Sequence, residues 1–133
     1  MSHISKIKTQ IKSSETLQQV LQSMGCKVTV GKGLEIRNSF VQDNVDMIVD
    51  HPQSRSQDHW MGYKVAEDGT MELVGDAWGT GINMETFSRD VTKGYAKQEV
   101  INQFNLDPEL ADFNLSEETV NDKGETVLKF TRW

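Results

Sequence analysis

The chain has one cysteine, Cys26, and only two prolines in 133 residues. A single thiol excludes an intramolecular disulfide, and the count suits a reducing compartment. No stretch approaches the roughly 18 consecutive apolar residues that a membrane-spanning helix needs. The opening Met1-Ser2-His3-Ile4-Ser5-Lys6 holds no apolar run of signal-peptide length. Positive charge is also scarce: 14 Lys and Arg stand against 20 Asp and Glu, a net charge of −6. Binding to a phosphate backbone is driven by Lys and Arg, so this balance disfavours nucleic acid as the main partner. An anionic membrane surface is disfavoured for the same reason. No repeat, low-complexity tract or long linker divides the chain. The length predicts a single domain over residues 1–133, with enough core to fold without metal or disulfide staples. The expectation from these absences is a soluble cytoplasmic protein.

What is present is patterned. Residues 5–12 alternate, with Ile7 and Ile11 on one side and Lys6, Lys8 and Lys12 on the other, as in a strand with one wet face. Ser14 is a suitable N-cap for a helix over 15–24, in which Leu17, Val20, Leu21 and Met24 share a face and Gly25 supplies the stop. Residues 26–30 alternate again. Gly31-Lys32-Gly33 reads as a break, residues 34–41 as a short strand or ordered loop, 44–50 as a strand and 51–57 as a loop. Residues 59–66 and 70–78 form a hairpin around Asp68-Gly69, with Trp60 and Trp78 flanking its open end. A long helix follows over 82–106. Asn83 caps it, and Met84, Phe87, Val91, Tyr95, Val100, Ile101 and Phe104 form its apolar stripe. Asp107-Pro108 ends it, because a proline disfavours helix in the residue before it. Residues 115–120 and 125–133 close the chain as a hairpin turning through Asn121-Asp122-Lys123-Gly124. Hairpin-connected strands and two helices on one face, leaving the other face wet, predict an α+β two-layer sandwich with a largely antiparallel sheet.

Chemistry-bearing residues are sparse. Asp50-His51 and Asp58-His59 are the best metal candidates, since carboxylates and imidazoles ligate zinc, manganese or iron, but their spacing matches no standard site. Cys26 and His3 lack the context of a nucleophile and base, and Cys26 at a strand start reads as a core residue. Gly31-Lys32-Gly33 and Gly79-Thr80-Gly81 complete neither phosphate-loop nor dinucleotide patterns. Trp60, Tyr63, Trp78 and Tyr95 are candidates for a pocket between sheet and long helix, and Trp133 for a partner surface. Gly94, costly by about 1 kcal/mol in mid-helix, permits close approach by a neighbour. Lys6 and Lys8 offer a face to an acidic protein, or simply guard a sheet edge. No cofactor is indicated.

Met1-Ser2-His3, followed by Ile7-Lys8-Thr9-Gln10-Ile11, resembles the N-terminal signature of the hypothetical chloroplast reading frame 35 family of cyanobacteria and plastids. Leu17, Leu21 and Gly25 fit its first helix. Val91-Thr92-Lys93-Gly94-Tyr95-Ala96 resembles its second, which carries a Tyr-Ala pair, and Arg132-Trp133 fits its end. Residues 30–57 match poorly and 107–113 lacks the expected glycine-centred turn, as in a divergent member, such as one from a cyanophage. The family carries no established catalytic residues. The resemblance implies a small protein of the cyanobacterial cytoplasm or plastid stroma, with relatives linked to a helper ATPase. Together these observations favour a non-enzymatic accessory protein acting on another protein. A small-molecule or metal-binding protein, or an enzyme, with a site between sheet and long helix is the alternative.

Overall fold

Local signals set most element boundaries. In the computed structural model, which describes residues 4–37, 42–54, 59–110 and 112–132 (at 37, 42, 78 and 79 the backbone alone), helix α1 spans Ser14–Ser23. Its cap is Ser13, one residue earlier than expected: the Ser13 Oγ accepts from the Thr16 N–H at 3.3 Å. Gly25 at φ +85° then closes the helix, with its N–H on the Gln22 carbonyl and the Cys26 N–H on Leu21. Strand β1, Ser5–Lys8, is shorter than the alternation of residues 5–12 suggests. Thr9 ends it by turning its hydroxyl onto the Met71 carbonyl, 2.5 Å, while accepting from the Ile11 N–H. Ile11 is thereby delivered into the core, 1% exposed.

Gly31-Lys32-Gly33 does not break the chain. Strand β2 runs through it, Lys27–Arg37, against β3, Gln42–Asp50. The register steps from Val30↔Met47 to Leu34↔Val45, so the extra residues bulge out of β2. Gly33, at φ +72°, absorbs that irregularity. Strands β4, Met61–Val65, and β5, Met71–Gly75, form the expected hairpin around Gly69. Asp68 Oδ1 accepts from both the N–H and the hydroxyl of Thr70 and holds the turn. The second strand stops at Gly75 rather than continuing to Trp78. The Asp76 carbonyl accepts from the Thr80 N–H and hydroxyl, winding Ala77–Thr80 into the short helix α2. Helix α3 spans Met84–Leu106, and Asn83 caps it as expected, Oδ1 to the Thr86 N–H at 3.0 Å.

The five strands order as β1-β5-β4-β3-β2, every neighbour antiparallel. The fold is therefore α+β, a mainly antiparallel sheet with helices. The strand before α1 and the strand after it lie at opposite edges. Tyr63, Leu73 and Met47 share one sheet face with Gly75, and a Cβ at Gly75 would stand 2.7 Å from the Met84 Cε. The first turns of α3 therefore pack on this face, and Tyr63, Leu73, Met47, Leu17 and Leu21 are all within 1% of full burial. The opposite face was expected to be wet. Instead Ile36, Val45, Ile48 and Val74 make a second buried cluster there, flanked by Ile4 and Leu34. Ile36 and Leu34 come from the part of β2 beyond its bulge, still paired with β3, and no local pattern announces their place in this cluster.

The chain forms two compact units, residues 1–92 and 93–133, and the boundary falls inside α3. The buried stripe of that helix stops at the same point. Met84, Phe87, Ser88 and Val91 are buried, whereas Tyr95, Ile101 and Phe104 are half-buried and Val100 is exposed. The second unit holds the rest of α3 and a two-stranded sheet of β6, Phe113–Val120, and β7, Thr126–Arg132.

Candidate functional site

In the first unit the loop after β3 is tied at its two ends. His59, in a left-handed conformation at φ 56°, donates its N–H to Asp50 Oδ1 at 3.1 Å. Its ring Nδ1 stands 4.0 Å from Asp50 Oδ2. His51 faces elsewhere. Its Nδ1 accepts from the Gln53 N–H, and its ring meets Phe87 edge-on with centroids 5.6 Å apart. Removal from water pushes its pKa down, which favours the neutral ring. The two histidines are thus held by different neighbours, and Asp58 lies outside the described residues. Among the described residues no three His, Cys, Asp or Glu side chains stand together in a group fit for a metal ion. Beside His51 a cavity of about 280 Å³ opens, rimmed by Gln53, Asn83, Phe87 and Asp90.

The aromatic candidates divide between the units. Trp60 is half-buried and its carbonyl accepts from the Asp76 N–H. Trp78 has its backbone in α2. Gly94 and Tyr95 are half-buried on α3 in the second unit, and Trp133 lies outside the described residues. Tyr63, the fourth of these aromatic candidates, is 0% exposed and belongs to the core of the first unit.

Lys6 and Lys8 carry counter-charges on their own sheet face. Lys6 pairs with Asp43 at 3.4 Å, and Lys64 approaches the same carboxylate at 3.5 Å. Burial opposes the charge on Asp43, but the two ammonium groups outweigh it and hold the carboxyl below the usual range. Lys8 lies opposite Glu72 in the β1–β5 register. Cys26 is 6% exposed, and burial with the nearby Asp50 charge pushes its thiol up to about 11, the setting of an unreactive core thiol.

The second unit has a different character. Phe104 stacks on Phe130 with centroids 3.8 Å apart and meets Phe113 edge-on at 6.1 Å. The Arg132 guanidinium lies 5.1 Å over the Phe113 ring. Lys97 reaches Glu118 at 2.6 Å. These contacts fold one face of the β6–β7 hairpin onto the last turns of α3. A cavity of about 370 Å³ remains between Ala96 and Val100 on the helix and Thr126 and Leu128 on the hairpin. No described residue of this unit is buried. Leu106 is 82% exposed, Val120 69% and Val127 45%. A lone hairpin is marginal in water, and Val120 and Val127, paired with Thr126 and Thr119, lie on opposite faces of this one. Sequence reading singled out none of these three. The signal available was Leu106 placed against the Asp107-Pro108 stop and the alternation that leaves Val120 and Val127 on an open hairpin.

The molecule is thus a small α+β protein with a packed sheet unit and a C-terminal unit in which no described residue is buried. It belongs to a family described as protein of unknown function, DUF1257, whose model matches residues 7–128. No curated protein and no solved structure matches the chain. The match spans both helices on which the resemblance to the chloroplast reading frame family rests, and leaves out Met1-Ser2-His3 and Arg132-Trp133. No helix among the described residues is long and apolar enough to cross a membrane.

Proposed function

We propose that this chain is a non-enzymatic accessory protein that works by binding another protein through its C-terminal unit. The observation that supports the reading is the exposure of Leu106, Val120 and Val127 on a unit with no buried residue of its own among those described. Burying such side chains yields about 25 cal/mol per Å² of apolar surface, so a partner that covers them gains directly. The resemblance to the chloroplast reading frame family supports a cyanobacterial cytoplasm, plastid stroma or phage-infected cell as the setting. It makes a helper ATPase the first partner to try. The test is affinity capture from a cyanobacterial extract with the intact chain and with a Leu106→Asp, Val120→Asp double variant. A protein retained by the first and lost by the second is the expected result. Identical recoveries from the two chains, or no specific recovery, would overturn the proposal.

A further inference from the structure

Pro52 shapes the turn that follows β3. The Ser54 N–H donates to the His51 carbonyl at 3.0 Å, so residues 51–54 close as a turn with proline at its second position. One side of the turn lies against the end of α1, where a Cβ on Gly25 would meet the Pro52 ring at 3.6 Å. On the other side the His51 ring meets Phe87 of the first turn of α3 edge-on, and Phe87 is buried. The imidazole adds a tie inside the turn, because its Nδ1 accepts from the Gln53 N–H at 3.0 Å. Only a ring with no proton on Nδ1 can accept there, so this bond selects the neutral form with its proton on Nε2.

We infer that His51 is a proton-operated latch: neutral, it holds the turn after β3 on the first turn of α3, and protonated, it lets the turn go. Every element around the ring bears on its charge. The N-terminal end of α3 carries partial positive charge and disfavours an imidazolium. The C-terminal end of α1 is the opposite pole, but its Leu21 and Gln22 carbonyls are taken by the Cys26 and Gly25 N–H groups. On β2, Cys26 is a neutral thiol and Lys27 lies opposite Asp50. Asp50 itself is turned to His59. Asp90, one turn beyond Phe87, is the carboxylate that lines the same cavity as the ring. Removal from water outweighs its attraction and keeps the pKa of His51 below the ordinary value. The docked ring therefore binds a proton less readily than a released ring, whose pKa is about 6.5. Docking is complete above that value and is lost as pH falls below it. A proton on Nδ1 would face the Gln53 N–H donor to donor, so that bond is abolished. Release uncovers Phe87 and widens the cavity of about 280 Å³ between the turn and α3. The latch lies wholly in the first unit and does not depend on the accessory role proposed for the second.

NMR titration of the intact chain between pH 5 and pH 8 tests the latch. The His51 ring should titrate below the ordinary histidine value, and the Gln53 amide and Phe87 ring signals should move with the same midpoint. Amide exchange at Gln53, corrected for its intrinsic pH dependence, should rise about 5-fold on protonation, the worth of one neutral hydrogen bond. His51→Asn keeps an acceptor for the Gln53 N–H, as asparagine does in turns, but cannot titrate. In that variant the Gln53 and Phe87 signals should stay flat. Asp90→Asn should keep the transition and move its midpoint further down, because it removes a carboxylate that favours the imidazolium. A His51 midpoint at or above the ordinary value overturns the inference. So do Gln53 and Phe87 signals that ignore that midpoint, or that still move in His51→Asn. A transition lost in Asp90→Asn overturns it as well, by making the carboxylate the switch.

Discussion

Replacing Tyr63 with Phe should stabilise this protein. Tyr63 is 0% exposed, and its hydroxyl finds no hydrogen-bond partner among the described residues. Burial pushes its phenol pKa well above the ordinary value, and the nearby Cys26 thiol adds to the shift, so the hydroxyl stays protonated. A neutral hydroxyl taken from water without a partner costs about 1–3 kcal/mol by comparison with protein variants. Tyr63→Phe keeps the ring and its packing and removes only the oxygen. The void left is smaller than a methyl group and forfeits on the order of 0.5 kcal/mol of contact. The net gain is about 0.5–2.5 kcal/mol. For a chain of this length that is a rise in Tm of about 2–10 °C. Differential scanning calorimetry at pH 7 measures it directly, and urea unfolding checks that the slope is unchanged. A fall in Tm of a few degrees would refute the reasoning. It would mean that the hydroxyl is bonded to a buried water, which would make it a contributor and not a cost.

Gly62→Ala should destabilise severely, on the order of 3 kcal/mol, because the new Cβ would stand 2.3 Å from the backbone oxygen of Met47 on the neighbouring strand; urea midpoints of the two proteins measure the loss. Cys26 should react with a thiol-specific disulfide dye at pH 8 about 100-fold more slowly in the native chain than in the unfolded one. Its thiol pKa is raised from 9.0 to about 11 and its side chain is buried. Equal rates would show that the β2 end of the sheet opens readily.

Sequence alone determined the elements whose signals act within a few residues. Asn83 with its cap contact to Thr86, and Asp107-Pro108 at the other end, bound α3 wherever it packs. Asp68-Gly69 and Asn121 to Gly124 set the two hairpins, because a glycine at positive φ closes a turn without help from the rest of the chain. Gly25 did the same for α1. From these alone the α+β class followed.

Tertiary structure decided everything that depends on a distant partner. Thr9 ends β1 because it meets Met71, a contact spanning 62 positions. Lys6 meets Asp43, and Asp50 meets His59, through strand pairings and loop ends that carry no local mark. The second buried cluster joins Ile36, from beyond the β2 bulge, to Val45, Ile48 and Val74 on the face expected to be wet. The apolar stripe of α3 is continuous in sequence but buried only to Val91, since periodicity records which residues share a face and not what covers that face. The candidate site lies on this last distinction. Val120 and Val127 are ordinary strand residues on the page. Their exposure comes from a hairpin that leaves them in water, which only the tertiary structure shows.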